Sequence, residues 1–273
     1  MNIFLKIINN KILKGFKNQY KVINALIYRE LRTRISQVKF GFFGVLLQPL
    51  GAFILFLLIF GFIRQRGGGG VEPEFVPIFL LSGIIQYTLF TEIVIRSVNS
   101  MQANEALLFY RQIKPVDTII SRVYVECMLF ALVFISLVVG VFLLFEIFTL
   151  DNLPLIVGSY LTLTFTALGI GIFFMVAGFR YPLLKTIIIF IQRPLFLTSG
   201  VFFSINNIPQ SIRPWLSWNP ILQSIELSRK GFNEKYFIDP EVISLPYAIT
   251  FALISCTIGL WVYGNNQKIL RRL

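Results

Sequence analysis

The stretch TIISRVYVECMLFALVFISLVVGVFLLF, residues 118–145, has its two charges, Arg122 and Glu126, near its start and none from Cys127 to Phe145. An apolar run of about 18 residues or more, with few charges, is long enough to cross a hydrocarbon layer of roughly 30 Å as a helix. Comparable runs lie at 41–63, 77–97, 154–178, 186–204 and 245–264, so the sequence predicts an all-α integral membrane protein with six transmembrane helices. Composition agrees: of 273 residues, 56% are hydrophobic and 14% charged, with mean hydropathy +0.75, against about 25% charged in a soluble domain. The whole chain, 1–273, reads as one transmembrane domain.

The net charge of +12 is informative through its distribution. Residues 1–40 carry Lys6, Lys11, Lys14, Lys17, Lys21, Arg29, Arg32, Arg34 and Lys39 against the single acid Glu30. Basic residues favour the cytoplasmic side of a span. With the first end inside, the segments 1–40, 96–122, 179–193 and 265–273 hold nineteen basic residues, and the outer segments 64–76, 147–153 and 205–244 hold six. Both termini are expected in the cytoplasm. Lys6, Asn9, Asn10, Lys11 and Lys14 interrupt the first seventeen residues, so no cleaved signal peptide is expected.

Histidine is absent, and Cys127 and Cys256 lie inside apolar runs. His-based catalysis, Cys/His zinc sites and a disulfide framework therefore lack their raw material. The chain has no G-x-x-x-x-G-K-[ST] loop, so an ATP-driven process would need another chain as its motor. Gly67–Gly70 matches a phosphate loop in composition only and is expected to be a flexible outer loop. No nucleophile elbow, metal cluster or glycosidase-like acid pair is present, and no catalytic or metal-binding residue is assigned.

Before the first span, Ile23, Ile27, Leu31, Ile35 and Val38 repeat at helical spacing, with Arg29, Arg32, Ser36 and Lys39 on another face. This pattern predicts an amphipathic helix in the cytoplasmic interface. It is either a simple anchor or a gate whose Arg29, Arg32 and Arg34 meet an anionic headgroup. In the first span, Pro49 predicts a kink, and several glycines allow close helix approach.

The cytoplasmic loop 98–115 contains Asn104-Glu105-Ala106-Leu107-Leu108-Phe109-Tyr110-Arg111 and ends at Pro115. It reads as a short helix with an apolar tip, which either rests on lipid or plugs into a partner. Glu92 with Arg96, and Arg122 with Glu126, stand at i, i+4 spacing inside the flanking spans. Ionisable groups at such depth are costly unless paired or hydrated. Pairing would make the loop and both helices move as one unit. Arg193-Pro194 interrupts the fifth span. The segment 205–244, with Pro209, Pro214, Trp215, Trp218 and Pro220, predicts short re-entrant or interfacial helices.

This combination resembles the permease subunit of ABC-2 type polysaccharide exporters, and within it the group 2 capsular-polysaccharide export permease of Gram-negative bacteria. The matching residues are Arg29-Glu30-Leu31-Arg32-Thr33-Arg34, Gly41-Phe42-Phe43-Gly44 with Gln48-Pro49, and Phe79-Leu80-Leu81-Ser82-Gly83. Further matches are Arg96-Ser97, Ala103-Asn104, Tyr110-Arg111, Lys114-Pro115-Val116-Asp117, Trp218-Asn219-Pro220 and Glu226-Leu227-Ser228-Arg229. The resemblance covers about residues 20–264 and is most specific over 79–122. Two departures stand out: Gln223 occupies a position where this subfamily often has histidine, and Gly67–Gly70 is outside the family pattern.

The resemblance implies an ABC-2, type V exporter-like fold, a homodimer, and two copies of a separate ATPase that bind ATP and magnesium, with no cofactor in this chain. It places the loop tip, Asn104, Glu105, Ala106, Leu107, Leu108, Tyr110 and Arg111, on the ATPase, with Glu30 and Arg32 nearby. It also implies a lipid-linked polysaccharide as substrate, periplasmic and outer-membrane partners, a location in the bacterial inner membrane, and no nucleic acid. Phe42, Phe43, Tyr87, Phe90, Phe202 and Phe203 are the expected lining of the sugar path. O-antigen, teichoic acid or a drug as cargo, an ATP-independent channel or secondary transporter, and a membrane-embedded transferase are the alternatives.

Overall fold

A computed structural model describes residues 2–36, 41–65, 73–110, 112–146 and 150–270, with the backbone alone described at 2–14, 16, 41–43, 45, 46, 48, 61–65, 73, 268 and 269. Gly67–Gly70 and Arg111 lie outside the described residues, as do the side chains of Phe42 and Phe43. The described chain is helical, with no strand. Its order is α1 (Asn2–Ser36), α2 (Gly41–Gln65), α3 (Val76–Val98), α4 (Ser100–Ala103), α5 (Glu105–Leu108), α6 (Pro115–Phe145), α7 (Leu153–Arg180), α8 (Leu183–Thr198), α9 (Arg213–Ser217), α10 (Pro220–Phe232) and α11 (Leu245–Leu270). Short 3₁₀ turns cover Pro73–Phe75 and Ile205–Asn207.

Among the described residues, four helices are long and apolar enough to cross a membrane: α3, α6, α7 and α11 over Leu245–Gln267. They are distributed very differently. The apolar part of α3 is 78% buried, whereas those of α6 and α11 are 28% and 22% buried. A helix apolar all round must be surrounded by protein or lipid, so α3 is the central post and α6 and α11 turn broad apolar faces outward.

α7 joins the bundle by packing against α11, α3 and α10. Glycines explain how closely it does so. A Cβ at Gly169 would overlap the Ser255–Cys256 backbone, one at Gly259 would overlap the Gly169 carbonyl, and one at Gly171 would strike Ser97. Small residues let membrane helices approach until their backbones touch, where dispersion replaces a hydrophobic driving force.

Two expectations need correction. α8 is not interrupted at Arg193-Pro194 but runs through Pro194 to Thr198, where Thr198 returns its hydroxyl to the Pro194 carbonyl at 3.2 Å. It stops there, short of 204, because Gly200 takes φ +72°, a left-handed conformation open to glycine, and turns Ser199–Ser204 back. The loop expected to form a single helix forms two one-turn helices, α4 and α5, separated by Asn104. Pro115 then starts α6 at a position where its missing N–H costs nothing, and the Lys114 N–H donates to the Asp117 carboxylate at 2.9 Å.

Candidate functional site

The C-terminal ends of α1 and α3 and the N-terminal end of α6 bring opposite charges together. α1 buries Leu26 and sends Arg29, Glu30 and Arg34 toward α3 and α6. Arg96 Nε lies 2.9 Å from Glu92 and 2.7 Å from Glu126, while Arg34 Nη2 lies 3.4 Å from each of the same two carboxylates. Arg122 does not pair with Glu126, contrary to its i, i+4 spacing. It reaches Glu30 of α1 at 3.3 Å and donates to the Arg96 carbonyl at 2.7 Å, because Arg96 already occupies Glu126 across the α3–α6 contact.

The resulting lattice holds Arg34, Arg96 and Arg122 against Glu30, Glu92 and Glu126. All of these but Glu126 line a cleft of about 450 Å³ together with Arg29, Thr33 and Asn99. Glu126 is the deepest member of the lattice, its side chain 3% exposed. Truncating a buried partner strands the opposing charges, at a cost of about 3–5 kcal/mol. We expect Glu126→Ala to lower the yield of folded protein far more than Arg34→Ala, because Arg96 still neutralises Glu126 in the latter. Detergent-extracted yield and thermal unfolding of the two variants check this, and equal losses would count against the lattice.

The loop is tied into this cluster. Asn104 is buried; its Oδ1 accepts from Arg29 Nη1 at 2.7 Å and its Nδ2 donates to the Ser100 carbonyl at 2.9 Å. Beyond it, Glu105 and Ala106 are exposed, Leu107 and Leu108 half-buried, and Phe109 and Tyr110 stand out at 68% and 65% exposure. Leu108 leans on the chain's own core, leaving the two aromatics as the free apolar tip. Arg29, Arg32 and Arg34 do not form one outward-facing set. Arg29 is held by Asn104 and Arg34 by the carboxylates, and Arg32 is exposed.

The expected lining residues also separate. Tyr87 and Phe90 belong to the core, at 6% and 4% exposure, so they line no open path within this fold. The Tyr87 hydroxyl donates to the Gln192 carbonyl of α8, and its ring packs on Phe196 at 4.8 Å. Phe202 and Phe203 are half-buried in the turn after α8. Phe202 sits among Phe56, Phe60 and Phe196, with ring centroids 4.8, 5.7 and 5.0 Å away.

At the other end of the bundle, α10 is capped by Asn219, whose side-chain Oδ1 accepts from the Ile221 N–H at 3.0 Å, with Pro220 at its first position. It carries an ion pair, Glu226 with Arg229 at 3.0 Å, with both side chains fully buried. Burial pushes the Glu226 carboxyl above the ordinary carboxylate range, opposed by Arg229, the Tyr236 hydroxyl and the Ile205 N–H. The i, i+3 spacing of opposite charges in an otherwise apolar helix was the available signal for this pair.

A buried helical post, outward apolar faces and an ionic cluster at one end define a multi-helix membrane protein with, among the described residues, no group of His, Cys, Asp and Glu fit to hold a metal. The comparisons give its family: residues 21–233 match the ABC-2 type transporter family, and the chain belongs to it. It is 33% identical over 256 residues to the polysialic acid transport protein KpsM of Escherichia coli, covering 94% of this chain and 97% of that protein. It is 28% identical to the capsule polysaccharide export inner-membrane protein CtrC of Neisseria meningitidis serogroup A, over 81% of this chain and 82% of that one. The capsule polysaccharide export inner-membrane protein BexB of Haemophilus influenzae is 24% identical, over 92% of each chain.

Proposed function

We propose that the chain is the membrane permease of an ATP-driven exporter that carries lipid-linked capsular polysaccharide across the bacterial inner membrane. The observation that carries this reading is the tie between an apolar-tipped loop and the interface helix, Arg29 to Asn104. A membrane chain with no ATP site of its own needs such a part to receive force. The named relatives, aligned over most of their length, support the class of cargo.

In this reading α2, α3, α6, α7, α8 and α11 are the six spans, both ends of the chain are cytoplasmic, and α9 and α10 lie at the outer interface. Two copies pair around the sugar path, and two ATPase subunits bind ATP and magnesium beneath them. Each ATPase meets Glu105, Ala106, Phe109 and Tyr110, with Arg32 close by. Periplasmic and outer-membrane partners continue the path.

The physical division of labour follows from the cargo. Each buried CH₂ of a lipid anchor contributes about 0.8 kcal/mol, so the tail stays in the bilayer. Sugar hydroxyls cost on the order of several kcal/mol each to bury unpaired, so the polymer takes a protein path that is wet or lined with partners. ATP-driven closure of the ATPase pair pushes the loop, and through Asn104 and Arg29 it shifts α1. Exposed Arg32 and the charged cleft attract the anionic headgroup or first acidic sugars.

Depletion of the chain from its source cell tests the reading. Lipid-linked polysaccharide is expected to accumulate on the cytoplasmic side while the cell surface loses it. Normal surface polysaccharide after complete depletion would refute it.

A further inference from the structure

The fully buried Arg229 ties together segments that are remote in sequence. Its Nη2 donates to the carbonyls of Phe79 at 3.3 Å and Val201 at 3.1 Å, and its Nη1 to the Phe203 carbonyl at 3.1 Å and Glu226 at 3.0 Å. Its guanidinium carbon lies 3.3 Å from the centroid of the Phe79 ring. Glu226 in turn accepts from the Ile205 N–H at 3.2 Å and from the Tyr236 hydroxyl at 2.8 Å, and the Tyr236 hydroxyl is 2.6 Å from Ser204 Oγ. At the start of the same helix, Asn219 Nδ2 donates to Ser199 Oγ at 3.1 Å. One helix thus holds the turn 199–205 along its whole length.

A second observation joins that turn to α3. Gly83 faces Val201 so closely that a Cβ there would stand 3.0 Å from the Val201 oxygen and 3.1 Å from its Cα. α3 leads at its other end into the loop that bears Asn104, Phe109 and Tyr110. Parting α3 from the turn would take the Phe79 carbonyl and ring away from the buried Arg229 guanidinium, which would keep only Glu226 and the Val201 and Phe203 carbonyls, and removing a hydrogen bond from a buried charge is costly.

We infer that Arg229 is a positioning residue that makes α3 and the turn 199–205 move as one body, so that a push on the loop 100–110 displaces Phe202 at the opposite end of α3. Phe202 leans on Phe56 and Phe60 of α2, and the displacement alters that aromatic contact. Packed interfaces switch between discrete arrangements rather than deforming continuously, which suits a rigid link of this kind. The inference rests on the reading of the chain as an ATPase-driven permease.

The test uses the complete complex with its ATPase in lipid nanodiscs, with Cys127→Ser and Cys256→Ser and an environment-sensitive fluorophore on Asn207→Cys, an exposed position just past the turn. A non-hydrolysable ATP analogue is expected to change the emission. With Arg229→Gln, or with Gly83→Ala, which keeps every charge and wedges α3 from Val201, the change is expected to fall at least fivefold. ATP turnover is expected to stay within twofold and the ATPase to remain bound, a split that general unfolding would not produce. Should Arg229→Gln fail to fold, Gly83→Ala decides alone. A full-size response in folded variants, or no response in an unsubstituted complex that hydrolyses ATP and exports, would overturn the link. Failure of the unsubstituted chain to retain any ATPase would overturn the underlying functional reading instead.

Discussion

With Phe109→Asp and Tyr110→Asp together, the purified chain is expected to lose its ATPase partner and export is expected to stop, while the yield of folded protein is unchanged. Both rings stand clear of the fold, at 68% and 65% exposure, so their removal opens no cavity. Aromatic anchors at interfaces commonly cost 2 kcal/mol or more each when truncated. Two such losses amount to about 4 kcal/mol, roughly a thousandfold in affinity, and the new carboxylates add the cost of burying unpaired charge. Leu108 is a poorer probe, because it already packs on the chain's own core. Co-purification at matched expression checks the prediction, with Glu241→Gln, an exposed position between α10 and α11, as a control expected to retain the partner. Retention of the ATPase by the double variant would return the loop to the role of a helix resting on lipid.

The second large effect lies inside the bundle, between α7 and α11. Gly169→Val is expected to reduce folded protein by at least tenfold, because α7 and α11 touch backbone to backbone at Gly169 and Ser255–Cys256. Overpacking costs about 1–3 kcal/mol even where side chains give way, and here the obstruction is main chain that has nowhere to move without separating the helices. Gly158→Val on the same helix meets open space and is expected to be nearly silent. Size-exclusion profiles after detergent extraction distinguish the two, and equal behaviour would contradict the close approach of α7 and α11.

Much of the helical layout was legible because apolar runs have a length that only a few structures satisfy. The expected segments 77–97, 118–145 and 154–178 fall inside α3, α6 and α7, and α11 extends beyond 245–264. Local chemistry misled at Pro194: a proline argues for a break, but one missing hydrogen bond was tolerated and the chain turned only where Gly200 permitted a positive φ. The charges show the same limit. Spacing alone placed Arg122 beside Glu126, whereas α1, remote in sequence, brought Glu30 to Arg122 and Arg34 to Glu126.

Aromatic residues were hardest to sort, since with 29 Phe composition does not separate a buried Phe90 from a half-exposed Phe202. The clamp around Arg229 depends on carbonyls of Phe79, Val201 and Phe203, whose convergence no periodicity encodes. What the pattern of residues did convey was the class of machine: an apolar bundle, a basic interface helix and a loop with an apolar tip.

Direct transport is the decisive measurement. The chain and its co-purified ATPase, reconstituted into sealed vesicles loaded on the ATPase-accessible face with lipid-linked acidic polysaccharide, are expected to move the polymer to the protected side only when ATP and magnesium are supplied. A catalytically dead ATPase is expected to abolish the movement. Equal transfer without ATP, or ATP hydrolysis that never moves the polymer in a complete complex, would contradict the assignment of this chain as an ATP-driven polysaccharide permease.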